Sequence, residues 1–547
     1  MDQKQLPVWD GELYLEHHRG TYTSMAKNKK YNRTCEFLNA DTEFYSVLNL
    51  LLTKDGEYPS KTLEENWKLL LLNQFHDILP GSSIKEVYED SQIQYEQIIK
   101  SGNEIIETCL NRLLSEAGLK ETKDKGDALS VWNSLSFGRT GIVSVNQPVK
   151  DIGLLSQEAE NGEILYLAEE VPSKGYEVYG SGTRTSSYDD SPVISDFETD
   201  KEGRPCKLTT PHYEVEFSSE GTMTRLYDKK EDRSLLKEGA QGNELLVFED
   251  RPLEFDAWNI DATYREKVWK VNEVLEARLL ENGPVRGTIL VKKKFMDSTI
   301  EQKISFYKHT KRIDFKTWIN WTEHQLLLKA AFPLDILSKE ANYDIQFGNV
   351  SRPTHENTTW DQARFEVCAH KWADISEPGF GAALLNDCKY GYDIHDSNIR
   401  LTLLKSGIFP NPDADQGEHE FTYSLYPHQG DFRTGGVVRE AYDLNCPMRA
   451  KSVTGKESLS YSLLSIEEEN ILADTVKLAE DGDGIVIRMY ETYGMRTRAH
   501  VKLADMDVVE AASCTCLEEE STTIPCKNNE LLITFKPYEI KTIKLKR

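Results

Sequence analysis

A chain of 547 residues with 39% hydrophobic content can bury more than one core, and its length predicts roughly three or four domains. Lys and Arg total 65 against 91 Asp and Glu, a net charge of −26 that repels nucleic acid and anionic membrane surfaces. Those two partner classes are excluded, and neutral or hydroxyl-rich ligands remain open.

The opening "MDQKQLPVWDGELYLEHH" has no basic segment followed by an apolar signal core, and no run of 18 or more apolar residues occurs anywhere, so the expected location is the cytoplasm. Nine cysteines, an odd number scattered from Cys35 to Cys526, fit free thiols in a reducing compartment. Asn-X-Ser/Thr triplets at Asn32, Asn320, Asn349 and Asn357 carry little weight without a secretory signal.

Near residue 120 the hydrophobic period changes once, from helical to alternating. Three helices are expected before it, over Thr21 to Leu52, Ser60 to Leu79 and Ser83 to Leu119, and their short connections imply an antiparallel bundle. Thr62 with Glu65 and Ser83 with Glu86 are spaced as capping boxes. The third helix has Ile84, Tyr88, Tyr95, Ile98, Ile105 and Cys109 on one stripe. In the second, Leu69 to Leu72 wrap the whole circumference, which predicts cover on every side, or else a bare apolar patch including Phe75.

From about residue 125 the pattern alternates. "HYEVEF" places Tyr213, Val215 and Phe217 on one face, "RIDFKTWIN" does the same with Ile313, Phe315, Thr317 and Ile319, and "ELLITFKPYEIKTIKLK" ends the chain. Large antiparallel β-sandwiches follow from this pattern. The polar, Gly/Ser-rich stretch from Gly180 to Pro205 reads as a long loop or an inter-sheet connection. The expected division is a tail over 1–15, a three-helix bundle over 16–120, a large β-sandwich over 125–435 and a final sandwich over 440–547.

Candidate chemistry is sparse. His76 and Asp77 stand side by side after the four leucines; alone, the first reads as a helix-end histidine and the second as a surface carboxylate. Their position at an interface is what raises them, because ligand sites favour such places. A lone histidine cannot close a metal site. Asp413 to Glu420 and Glu480 to Gly484 are spaced somewhat like calcium loops, but neither completes one, and solvated turns are the better reading.

The stretches "GELYLEHHRGTYTS", "LLLNQFHDILPGSSI", "VWNSLSFGRTG", "QFGNVSRPTHENTTWDQARFEVCAHKWADISEPGFGAALLNDCKYGYD" and "GEHEFTYSLYPH" together resemble the family 38 glycoside hydrolases, the α-mannosidases, in their neutral, cytosolic-type branch. The likeness extends in order over nearly all of the chain and begins at the tail of the family's catalytic barrel. It implies a multidomain α + β fold, a three-helix bundle followed by large antiparallel β-sandwich domains. It also implies a retaining, metal-dependent α-mannosidase acting on terminal α-mannosyl residues of oligosaccharides. By this resemblance His76 is the fourth ligand of a zinc ion, with cobalt as the alternative metal. Asp77 and His18 contact the sugar, although at His18 some members carry an indole.

The barrel's own zinc ligands, nucleophile and acid/base carboxylate have no counterpart in residues 1–15, so no catalytic residue is assigned. A retaining glycosidase needs two carboxyl groups about 5 Å apart, and neither can be placed. The implied partner is the missing barrel; self-association through bare apolar surface is the other expectation. The competing functional readings are a non-catalytic carbohydrate-binding sandwich and a structural remnant.

Overall fold

The computed structural model describes residues 8–546 apart from 181, 183, 184, 456, 457, 505, 520 and 521. Part of the expected tail, residues 1–7, therefore lies outside the described residues. Three helices come first, α1 (Ala26–Leu52), α2 (Ser60–Asn73) and α3 (Lys85–Glu116), and antiparallel sheets make up most of the remainder.

Helix α1 is the hub of the bundle. Besides packing against α2 and α3 it lies on the C-terminal sheets, with Phe44, Val47 and Leu48 in one core with Val476, Ile487 and Phe535. Such two-sided cover explains why polar side chains such as Asn39, Thr42 and Ser46 are buried along a helix with no clear amphipathic stripe. Helix α3 keeps the expected stripe at Tyr88, Tyr95, Ile98 and Cys109, with Ile106 buried in place of Ile105, while Ile84 stays 52% exposed ahead of the helix.

Neither expected capping box forms, because α2 begins behind Pro59 and α3 behind Ile84 without a side-chain cap. The Ser83 hydroxyl instead donates to the Asp77 carbonyl at 2.9 Å. Helix α2 also stops at Asn73, earlier than the expected Leu79. The Gln74 N–H bonds back to Leu70 and Leu71, and the chain turns through Phe75 to Gly81.

The large β-domain sets a nine-stranded sheet against a six-stranded one. At the centre of the first, Ile313–Trp321 pairs with Ser298–Tyr307 and Gly417–Gln429. Ile313, Phe315, Thr317 and Ile319 all point inward as the alternation predicts, and Tyr213, Val215 and Phe217 do so on their own strand. The stretch from Gly180 to Pro205 is not a continuous loop, since Asp196–Thr199 forms a strand against Pro205–Thr209.

The expected boundary at 440 passes close to a shared sheet. Arg449–Thr454 pairs with Ala128–Asn133, and Leu459–Ser462 pairs with Gly175–Gly180, so segments from both sides of the large sandwich close one five-stranded sheet. The last sandwich then consists of a five-stranded and a four-stranded sheet formed between Leu464 and Lys546.

Candidate functional site

The segment from Glu12 to Ser24 is fastened to the large β-domain before α1 begins. Arg352 holds the Glu12 carboxylate through bonds of 2.9 and 2.7 Å, and the Tyr14 hydroxyl donates to the Glu366 carbonyl at 2.5 Å. Arg19 stacks its guanidinium 4.3 Å above the Phe365 ring and donates to the Ala363 carbonyl at 2.7 Å. Gly20 and Ser24 then bond to the backbone of Trp258 and Ala257. These anchors place His18 with its ring edge-on to Trp258, 5.0 Å between centroids, and with Nδ1 buried and unpartnered.

Helix α1 starts under an unusual cap. Met25 has a left-handed backbone, and the free N–H groups of Met25 and Ala26 point at the Asp415 carboxylate at 2.9 and 2.7 Å. A carboxylate there complements the positive end of the helix dipole. Burial nevertheless raises the Asp415 carboxyl above its usual range, and burial lowers the nearby Lys29 ammonium. Asp413 to Gln416 is therefore a helix-capping turn, with Asp413 paired to Lys85 at 2.8 Å, and Gly417 to Glu420 begin the strand Gly417–Gln429. Sequence spacing showed the acidic residues but not their partner, which is 390 positions away for Met25.

The turn after α2 lies on this junction. Gly81 has φ of +90° and sits against the Ser24 carbonyl; Asn28 donates to the Ile78 carbonyl at 3.2 Å and Lys29 to that of Leu79 at 2.9 Å. With its base held, the turn presents His76 outward, its side chain 72% exposed and Nε2 3.1 Å from Asp77 Oδ2. Asp77 is half-buried: its Oδ1 accepts from the Ser82 hydroxyl at 3.1 Å, and its carbonyl accepts from Ser82, Ser83 and Tyr88. The rings of Phe75 and His76 lie 4.3 Å apart.

The structure thus brings His76 and Asp77 together and carries the chain following His18 onto the base of their turn. Among the described residues no hydrogen bond or ring contact joins the His18 ring to either. Apolar side chains lie bare on the same turn and on the loops around the anchored segment. Leu71, Leu72 and Phe75 are 60%, 52% and 55% exposed, and Leu253, Phe255 and Phe409 are also uncovered. Phe255 and Trp258, beside His17 and His18, had no distinguishing signal in the sequence.

Helix α2 is therefore not covered on every side. Leu70 is fully buried and Leu69 packs at the edge of the core that contains Cys35 and Tyr95, while the next two leucines face out.

As a metal site the arrangement is partial. One imidazole and one carboxylate supply two donors, whereas a tight zinc site takes three or four protein ligands. Among the described residues, the one group of three side chains with closely spaced donor atoms is Glu467, Glu468 and His500, on the last sandwich. His76 and Asp77 fit a zinc site only as part of a set completed by other residues.

The chain is similar to known proteins over its whole length. The Alpha mannosidase middle domain matches residues 16–113, the Glycosyl hydrolases family 38 C-terminal domain residues 208–413, and the family 38 C-terminal beta sandwich domain residues 470–543. The chain belongs to glycoside hydrolase family 38. Among family 38 relatives, Alpha-mannosidase 2C1 of Homo sapiens is 34% identical over 553 residues, which is 100% of this chain and 51% of that protein. Alpha-mannosidase G of Dictyostelium discoideum is 34% identical over 591 residues, 99% of this chain and 53% of that protein. This family 38 chain thus spans about half the length of the curated relatives it matches. In fold it is similar to an alpha-mannosidase from Enterococcus faecalis V583, with TM-score 0.79 and 16% identity over 99% of this chain and 70% of that one. Among the described residues no helix is long and apolar enough to cross a membrane.

Proposed function

We propose that these 547 residues are the middle and C-terminal portion of a retaining, metal-dependent α-mannosidase that removes terminal α-mannosyl residues from oligosaccharides in the cytoplasm. The exposed His76 carries this reading, because it projects from a braced turn amid apolar side chains that no part of the described chain covers. A catalytic barrel is the partner that fits: it would cover Leu71, Leu72 and Phe75 and bring the remaining metal ligands to the His76 ring.

In that assembly His76 holds zinc, with cobalt the alternative ion. Zinc when bound supplies positive charge to polarise oxygen groups of the substrate. Asp77 accepts hydrogen bonds from sugar hydroxyls, and the hydrogen bonds from Ser82, Ser83 and Tyr88 fix its backbone and carboxylate for that task. His18, wedged against Trp258, forms a ring wall beside the sugar. The nucleophile and the acid/base group, two carboxyls about 5 Å apart, come from the barrel.

Mixing this chain with a barrel from a family relative tests the assembly. A stable complex that hydrolyses an aryl α-mannoside, and that loses activity in His76→Ala while still forming, is the expected result. Activity unaffected by His76→Ala would remove the proposed zinc role.

A further inference from the structure

We propose that a second cleft, between the buried face of α1, the side of α2 and the β-domains, binds a neutral sugar unit without hydrolysing it. The inference rests on the mannosidase reading only for the choice of mannose as the sugar.

The cleft has a volume of about 400 Å³, within the roughly 300–1,000 Å³ of small-molecule sites. Aromatic rings form part of its walls. Phe37 of α1 meets Tyr442 edge-on, with centroids 6.0 Å apart, and Trp67 of α2 lines another side. Apolar ring faces with a few convergent polar groups suit the mixed C–H and hydroxyl surface of a pyranose.

Two buried cations line the cleft, and one has an unused donor. Arg33 is 3% exposed; its Nε bonds to the Tyr390 hydroxyl and its Nη1 to Asn445, but Nη2 has no partner. Lys174 is also 3% exposed, and its ammonium lies 4.9 Å over the Phe44 ring. Burial lowers its pKa against the opposing pull of Asp41, Asp474 and Glu43.

Acceptors line the same space. The Asp41 carboxylate receives only a long contact from the Cys446 thiol, at 3.6 Å, and burial raises the Asp474 carboxyl. Cations and carboxylates in one cleft disfavour an anionic ligand and favour a neutral polyol, whose hydroxyls donate to Asp41 and accept from Lys174 and Arg33.

The test is titration of the whole 547-residue protein with mannose and an α-linked mannobiose up to about 50 mM, by calorimetry and saturation-transfer NMR. Saturable binding is expected, weakened about tenfold or more by Lys174→Met and by Asp41→Asn. Thermal melts of Lys174→Met and of Asp41→Asn establish that each variant is folded before its binding is read. Should Lys174→Met fail to fold, Asp41→Asn alone decides. Three results would overturn the proposal: no saturable binding by the parent, binding indifferent to both cleft variants, or binding abolished by His76→Ala and kept by Lys174→Met. The last would place the sugar at the α2 turn. Reconstitution with a barrel judges the mannosidase reading separately.

Discussion

Replacing Gly81 by Ala should loosen the turn that presents His76. The residue sits at φ of +90°, and a methyl group built there would lie 2.3 Å from the Ser24 carbonyl oxygen and 2.6 Å from the carbonyl carbon. Both are backbone atoms at the entry to α1, so no side-chain rotation relieves the clash. The left-handed conformation costs an L-residue about 1–2 kcal/mol, and forcing a methyl into packed surroundings about 1–3 kcal/mol more. A loss of about 2–5 kcal/mol in local stability follows, which is roughly 30- to 5,000-fold in the opening equilibrium. Hydrogen exchange followed by mass spectrometry on peptides covering 60–90 suits this measurement, since a chain with several cores need not unfold in one step. Exchange should quicken there while the last sandwich keeps its protection. In the reconstituted enzyme the same variant should lower activity, because the bonds from Asn28 and Lys29 to Ile78 and Leu79 hold the turn at the same contact. Protection within about threefold of the parent would refute the account of how His76 is held.

Leu71→Ser with Leu72→Ser removes two side chains already 60% and 52% exposed, so the chain's own stability should change by less than about 1 kcal/mol. Affinity for a barrel should fall by about 2 kcal/mol, roughly 30-fold by calorimetry, if each half-bare leucine is covered on docking. His419 is buried, its Nε2–H donates to the Asp415 carbonyl at 2.9 Å, and burial lowers its pKa to about 3. Its unfolded form takes up a proton below about pH 6.5, so its contribution is present above that pH and is lost toward pH 3. Urea melts of His419→Gln should therefore show a loss between pH 7 and pH 5 smaller than the parent's by about 2 kcal/mol. Lys293 is 1% exposed with an unpartnered ammonium, lowered to about 8 chiefly by burial. Lys293→Met should raise stability at pH 7 by about 2–3 kcal/mol, and the parent's own gain between pH 8 and pH 10.5 should be absent from the variant.

Periodicity made the layers of the fold legible. Ile313, Phe315, Thr317 and Ile319 alternate because one face of their strand is buried in the sandwich core, and the stripe of α3 is visible because one face of the helix is buried. Helix α1 was legible as a helix but not as the hub, since burial on several sides leaves no stripe to read. Asp415 capping α1 from the far end of the large β-domain, and Arg352 holding Glu12, are pairings between distant positions that no local pattern encodes. His76 and Asp77 were found through family likeness and their placement after four leucines. The cleft at Lys174 was invisible, because a single lysine between Ser173 and Gly175 looks like any loop lysine until α1 closes over it.

The sheet shared by Ala128–Asn133 and Arg449–Thr454 also has a consequence in time. Ala128 pairs with Val453, and on the ribosome, at about 5–20 residues per second, the second follows the first by roughly 15–65 seconds. Through that interval Ala128–Asn133 has Gly175–Gly180 as its neighbour on one side and an open edge on the other. The core that joins α1 and α3 to Val453 and Ile487 cannot close until both of those residues have been made. The helical turn bearing His76 therefore waits for residues made long after it before its bundle has a fixed foundation, and premature release of the chain would leave it without one.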